Sequence, residues 1–209
     1  MTTSGATPKA RRENPKRGLI LVVAIVLAAV GLAGLVSALR YPSDKTPEGA
    51  YLRVAKSVNQ GRARDFFAYI ETEAQHAAYT IHDYRKKARD LVLAAYPEPD
   101  RSEISRKYEA LAAAPDGADV FALYSEERGF LTLLRRDVSG IAKVDVSGER
   151  ATIETARGTR YAFRKRENGI WGLTLFTAVL VSEAEKAARD LSVIEKAASD
   201  YERARPKKE

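Results

Sequence analysis

Residues 18–39 form a run of 22 residues without one charged side chain, and this run constrains the chain more than any other feature. Because an α-helix rises about 1.5 Å per residue, the run spans roughly 33 Å as a helix. That length crosses the roughly 30 Å hydrocarbon core of a bilayer. We therefore predict a transmembrane helix over residues 18–39.

The charges on either side of the apolar run predict its orientation. Residues 1–17 are a basic leader with one acidic side chain, Glu13, against Lys9, Arg11, Arg12, Lys16 and Arg17. By the positive-inside rule the leader stays in the cytoplasm and residues 40–209 are exported. We expect a protein of the inner (cytoplasmic) membrane whose linker, residues 40–46, leads into a periplasmic domain. The lipid bilayer is thus an expected partner.

A cleaved signal peptide is the alternative to an anchor. Val36-Ser37-Ala38 matches the small-residue pattern that signal peptidase favours, which would place cleavage after Ala38. The apolar core of a signal peptide is usually about 7–15 residues, and this run is longer, so the anchor is favoured. Both alternatives export the same domain.

Composition excludes several classes of function. The formal net charge is +7, but the leader carries much of it, so the basic balance does not indicate a nucleic-acid partner. The absence of cysteine excludes disulfides, thiolate catalysis and cysteine-based metal sites. Arginine outnumbers lysine and alanine is abundant, a composition that we associate with GC-rich bacterial genomes.

Residues 47–181 are predicted to form one α+β domain that starts with several helices. Thr46 is a good N-cap, Pro47 suits the first helical position, and Gly61 suits the stop. Prolines and glycines divide the following helices, with a hinge at Gly129.

The apolar period changes to two between residues 139 and 176. Four alternating runs are separated by short turns, and one turn carries Asn168-Gly169, a strong signal for a tight hairpin. This pattern predicts a four-stranded antiparallel meander.

A C-terminal amphipathic helix is predicted over residues 182–205, followed by a frayed tail at 206–209. Ser182 and Glu185 have the spacing of a capping box. Apolar side chains with heptad-like spacing mark one face as a helix–helix seam: Leu191, Ile194, Ala198 and Tyr201. The seam fits docking on the domain itself, which we favour, or a coiled coil. A homodimer is a further alternative, because Ala29, Ala33 and Ser37 form a small-residue stripe in the anchor.

Three short motifs resemble the NTF2-like (cystatin-like α+β) superfamily: Thr46-Pro47-Glu48, Gly148-Glu149-Arg150-Ala151-Thr152 and Asn168-Gly169-Ile170-Trp171-Gly172-Leu173. The resemblance covers residues 46–176. The plan of a cytoplasmic leader, one span and an exported domain is also similar to that of VirB8-type assembly factors of type IV secretion systems, at the level of architecture alone.

The resemblance implies a cone between the helices and the concave face of the sheet. Five aromatic side chains are the candidates for lining it: Tyr69, Tyr84, Tyr161, Phe163 and Trp171. Enzymes of the superfamily place an acid and a hydrogen-bond donor in the cone. Here the two histidines, His76 and His82, have a spacing unsuited to a metal site or a dyad, and no nucleophile motif is present. We therefore predict no catalytic, cofactor-binding or metal-binding residue.

Arg160, Arg164 and Arg166 are predicted to share one strand face, opposite Tyr161 and Phe163. They are a candidate contact for an anion or an acidic partner. The alternative is a solvated outer face on which Glu154 is a cross-strand partner.

Together these observations predict a non-catalytic scaffold or accessory protein of the bacterial envelope that binds envelope proteins. A module that binds a lipid or small ligand in the cone is the alternative. We expect no nucleic acid and no cofactor.

Overall fold

The computed structural model describes residues 26–27 and 42–204. The chain divides into two compact units, Met1–Tyr41 and Pro42–Glu209. Apart from residues 26 and 27, the predicted leader and transmembrane segment lie outside the described residues, as does the frayed tail. No helix within the described ranges has the length and apolar character needed to cross a bilayer.

The second unit consists of helices, then a sheet, then a long helix. The elements before the sheet are α1 Pro47–Asn59, α2 Ala63–Phe66, a 3₁₀ turn Phe67–Tyr69, α3 Thr72–Ala95, α4 Asp100–Ala112, α5 Gly117–Glu127 and α6 Phe130–Asp137. The remaining elements are β1 Ile141–Ser147, β2 Arg150–Thr155, β3 Arg160–Lys165, β4 Trp171–Leu173 and α7 Thr177–Ala204. This order confirms the predicted α+β class.

Local signals fix the first helix. Thr46 is its N-cap and accepts a hydrogen bond from the Gly49 amide at 3.2 Å, and Pro47 is the first helical residue. The helix ends at Asn59, shortly before Gly61. Farther along, α5 and α6 meet at Gly129, as predicted.

The sheet is an antiparallel meander of order β1-β2-β3-β4, which confirms the predicted topology. The last hairpin turns at Asn168-Gly169, where Gly169 has φ +82°, a backbone conformation that favours glycine. Inner-face side chains are buried on β2 and β3, among them Ile153 and Phe163. Tyr51 of α1 stacks near Tyr161 of β3, with ring centroids 5.8 Å apart.

The C-terminal helix begins at Thr177, five residues before the predicted capping box at Ser182. The prediction of its start was wrong because residues 178–181 are apolar and resemble a continuing strand. Packing decides otherwise, since Leu180 is fully buried in the core.

The predicted seam on this helix docks on the domain. Leu191, Ile194 and Ala198 are buried in a second core cluster, together with residues of α3 and α4, and Tyr201 packs against it. The Tyr201 ring lies 4.9 Å from that of Tyr96. Docking, the favoured alternative, is what the structure shows.

Candidate functional site

Aromatic side chains fill the space between the helices and the sheet. The Phe66 ring packs edge-on to Phe121 at 5.2 Å, and Phe121 packs on Phe176 at 5.5 Å. Phe130 covers Phe176 at 4.8 Å, and Phe67 lies 5.6 Å from Phe121. These rings belong to one continuous core cluster together with inner-face side chains of the sheet, such as Ile153 and Phe163.

The five aromatic residues predicted to line a pocket do not meet in one cavity. Tyr161, Phe163 and Trp171 are buried members of the core. Tyr69 is half-buried beside Arg53, and Tyr84 lies half-buried on α3. The three sheet residues therefore belong to the core, whereas Tyr69 and Tyr84 are half-buried.

Three adjoining depressions on the surface form one groove. The largest, about 600 Å³, lies between the outer face of the sheet and the start of α7. A second, about 290 Å³, lies between the start of α3 and the end of β3. A third, about 330 Å³, follows the line between α3 and α7. Glu73 borders all three, and we call them together the outer groove.

A buried carboxylate lies where the first two depressions meet. Glu71 is 5% exposed, and its Oε2 accepts a hydrogen bond of 2.7 Å from the Thr177 hydroxyl. Its Oε1 lies 2.6 Å from Arg164 Nη1, at ion-pair distance but without hydrogen-bond geometry. Glu71 is held there because its amide donates to the Leu173 carbonyl of β4. A carboxylate paired in this way ties the sheet to both α3 and α7.

Each of the three predicted arginines has a partner within the chain. Arg160 pairs with Glu154 at 3.0 Å, the cross-strand partner foreseen from the sequence, and Arg164 pairs with Glu71. Arg166 lies just beyond β3 and donates to the Ala68 carbonyl and to Gln75 Oε1, both at 2.7 Å. Arg164 and Arg166 border the outer groove, whereas Arg160 does not.

The outer groove carries positive charge at its sheet end. Four basic residues and two acidic residues border the first two depressions there: Arg150, Arg164, Lys165 and Arg166 against Glu71 and Glu73. Burial lowers the pKa of Arg166, and within the described ranges its guanidinium has no carboxylate partner. At the other end the lining is mostly apolar, with Ala77, Ala184 and Ala188 between the helices, although Glu73 and Glu185 also border it. The groove thus suits an extended partner with an acidic part and an apolar part.

A separate cleft of about 590 Å³ lies among α3, α4, α5 and α7. At its base Arg85 is 5% exposed and lies 2.6 Å from Asp190 Oδ2, with its guanidinium 4.9 Å from the centre of the Tyr108 ring. Burying this arginine requires that pair, because an unpaired buried charge is costly. We call this opening the helical cleft.

Tyr124 forms the wall of the helical cleft together with an ion pair. Its hydroxyl donates to Glu183 Oε2 at 3.3 Å, and Arg128 Nη2 lies 2.5 Å from Glu183 Oε1. Burial and the neighbouring Glu183 carboxylate raise the pKa of Tyr124 to about 12. The phenol is therefore a neutral hydrogen-bond donor at physiological pH.

The two histidines lie apart. His76 is exposed in the outer groove, while His82 contacts the Ala114 carbonyl at 3.0 Å and Asp83 at 3.1 Å. Among the residues that the structure describes, no three histidine, aspartate or glutamate side chains are grouped so that they could hold a metal ion.

Sequence reasoning missed the two buried charges, Glu71 and Arg85. The burial of Arg85 could have been predicted, because it lies four residues after Ile81 and three before Ala88, on the apolar face of the predicted helix. A charge at such a position requires a buried partner, which Asp190 supplies. The local sequence gives no sign that Glu71 is buried, because its burial depends on the edge of β4, far along the chain.

Compared with known proteins, the chain matches no protein-family model, no curated protein and no solved structure.

Proposed function

We propose that this chain is a membrane-anchored, non-catalytic scaffold or accessory protein of the bacterial cell envelope. It acts through its exported domain, which we assign to the NTF2-like type on the three short motifs and the order of helices and meander. The periplasm is the compartment that the charge distribution favours, and envelope proteins are the expected partners.

The filled interior is the observation that carries this proposal. Ligand-binding sites are usually preformed concave pockets lined by apolar groups with a few polar ones. In this domain the corresponding space holds phenylalanine rings in mutual contact. The outer groove, by contrast, is an open surface with distinct charged and apolar ends, as a protein-binding surface needs.

Photo-crosslinking of the full chain in its own host's membranes tests the proposal. With a C-terminal tag, the protein is expected to stay in the membrane pellet after a carbonate wash and to retain its N-terminus. A photoreactive residue at Val181, in the outer groove, is expected to give a discrete cross-linked product. Val193 is the matched control, because it lies on the same helix and is 67% exposed.

Two results contradict the proposal. If the protein is missing from the washed membrane pellet and its N-terminus is Leu39, the chain is cleaved after Ala38 and released as an exported protein. Equal cross-linking at Val181 and Val193 means that the outer groove is not the binding surface.

Ligand binding is the second candidate function, and the helical cleft is the observation that favours it. Its volume falls within the range of small-ligand sites, and Arg85, Tyr108 and Tyr124 give it polar and aromatic groups. Small zwitterionic molecules are the natural probes because Lys107 and Lys186, and also Glu126 and Glu127, border the cleft. A rise in melting temperature that Lys107→Ala abolishes would support this function, and an unchanged melting temperature across the panel would reject it.

A further inference from the structure

The two edges of the sheet differ in how they are covered. At the β4 edge, Ile70 forms a bridge to Leu173, and the Trp171 amide donates to the Asp44 carbonyl at 3.3 Å. At the other edge, β1 pairs with β2 alone, and no described residue pairs with its outer side. A strand edge that is left open is a template for pairing with another chain.

The sequence of β1 carries opposite charges on one face. Lys143 and Asp145 are two residues apart and pair with each other at 2.9 Å within the strand, and their side chains remain 64% and 61% exposed. Both lie on the outer face, opposite Glu154 and Thr152 of β2. Between them Val144 is half-buried on the inner face, and Val146 on that face is 57% exposed. The strand therefore presents charge on one side and valine on the other.

We propose that two copies of this chain pair β1 against β1, antiparallel, about a twofold axis at Val144. In that register Lys143 of each copy faces Asp145 of the other, and Val144 faces its own counterpart. Shifting the axis by one residue either way sets Lys143 against Lys143 or Asp145 against Asp145. Like charges directly opposite each other destabilise a strand pair, so the charge pattern selects one register.

The charge order across the sheet supports this register. Arg160 of β3 pairs with Glu154 of β2, which in turn lies opposite Lys143 of β1. Asp145 of the second copy continues this row, so positive and negative side chains alternate across four strands. The interface is isologous, because the same residues contribute from both copies.

The bulge in β1 limits how far the pairing extends. The β1–β2 register shifts between Ile141 and Lys143, so one residue on β1 is unmatched there. The three central pairs of the proposed interface use residues 143–145 alone and avoid this irregularity.

Single cysteines in the full chain, purified in detergent, test the register directly, since the natural chain has none. Val144→Cys is expected to give a disulfide-linked dimer on mild oxidation. Lys143→Cys and Asp145→Cys are expected to link when mixed but not alone, because the proposed register sets residue 143 opposite residue 145 of the second copy. Val193→Cys, exposed on α7, is the control that should not link. Absence of linkage at residue 144, or equal linkage at residue 193, overturns the proposal.

Charge exchange tests what holds the copies together. Lys143→Asp and Asp145→Lys each place like charges opposite each other, and each is expected to raise the dimer dissociation constant about tenfold or more. Mixing these two variants restores opposite charges, so differently tagged chains should co-purify as a mixed dimer. The double variant Lys143→Asp/Asp145→Lys also restores opposite charges between the copies, although residue 143 then carries the same charge as Glu154 opposite it, so it should dimerise more tightly than either single variant.

The mixed dimer also separates pairing from misfolding, because a chain that fails to fold cannot be rescued by its counterpart. Two results overturn the proposal: both single variants remaining fully dimeric by light scattering, or the mixed pair remaining monomeric. The scaffold role does not depend on the outcome of these dimerisation experiments, so either proposal can fail without the other.

Discussion

The Glu71 carboxylate lies 2.6 Å from the guanidinium of Arg164, although the two residues come from opposite halves of the domain. The carboxylate is buried, whereas the Arg164 side chain is 49% exposed. Their contact joins the start of α3 to the outer face of β3 at the place where two depressions of the outer groove meet.

Replacing Arg164 by alanine is expected to lower the free energy of unfolding by about 1–2 kcal/mol, because a buried carboxylate loses its charged partner. Urea unfolding measures the loss. Arg160→Ala is the control, since its pair with Glu154 is exposed, and we expect a loss of at most about 0.5 kcal/mol there. Equal losses in the two variants would contradict the assigned role of Glu71.

Gly172→Ala is expected to destabilise the domain by about 1–3 kcal/mol through overpacking. A Cβ atom at residue 172 would lie 2.6 Å from the Ile70 carbonyl oxygen and 2.8 Å from Glu71 Cα, so backbone would have to move. Gly140→Ala is the matched control, because nothing lies within 4 Å of a Cβ atom there. Thermal unfolding of both variants provides the comparison, and similar melting temperatures would refute this close approach.

Asp116 is expected to stabilise the domain in a pH-dependent way. Asp116 is the N-cap of α5. Burial alone would raise the pKa of its carboxyl group, but hydrogen bonds from the Asp119 and Ala118 amides and the nearby Arg64 lower that pKa below its ordinary value of 3.8. A lowered folded-state pKa gives stability that is present above the ordinary value and is lost as pH falls through the folded-state value.

Asp116→Ala should therefore cost about 1 kcal/mol at pH 7, and the difference from the natural chain should shrink below about pH 4. Denaturant unfolding at both pH values measures it. Asp116→Asn, which keeps a capping oxygen, is expected to lose less at pH 7. A difference that does not change with pH would argue against a charged cap.

Tyr124 is expected to make the domain sensitive to alkali. Its folded-state pKa of about 12 exceeds the ordinary value of 10, so unfolding releases a proton above pH 10 and stability falls as pH rises from there toward pH 12. Tyr124→Phe should reduce the stability lost between pH 9 and pH 11 by about 1 kcal/mol. Urea unfolding at both pH values tests this, with exposed Tyr79→Phe as the control.

The sequence predicts the meander and the first helix well because their signals are local. Alternation with period two and the Asn168-Gly169 turn specify neighbouring strands within a few residues of each other. Thr46 and Pro47 likewise act on the helix that they begin. Interactions of this kind need no knowledge of the rest of the fold.

Whether the inward-facing aromatic side chains enclose a pocket depends on tertiary packing, which the sequence pattern does not give. Apolar periodicity shows that Tyr161, Phe163 and Trp171 face inward, but not whether an opposing element fills the space. Here Phe121 of α5 and Phe176, which directly precedes α7, meet in that space. The same dependence on distant elements hides the burial of Glu71 and moves the start of α7 to Thr177.

Helix α7 supplies buried side chains to both core clusters, Leu180 and Ala184 to the first and Leu191 and Ile194 to the second. Because α7 follows the meander, a nascent chain that has emerged only through β4 has two unfinished cores. The domain therefore gains its full stability after synthesis of its final helix.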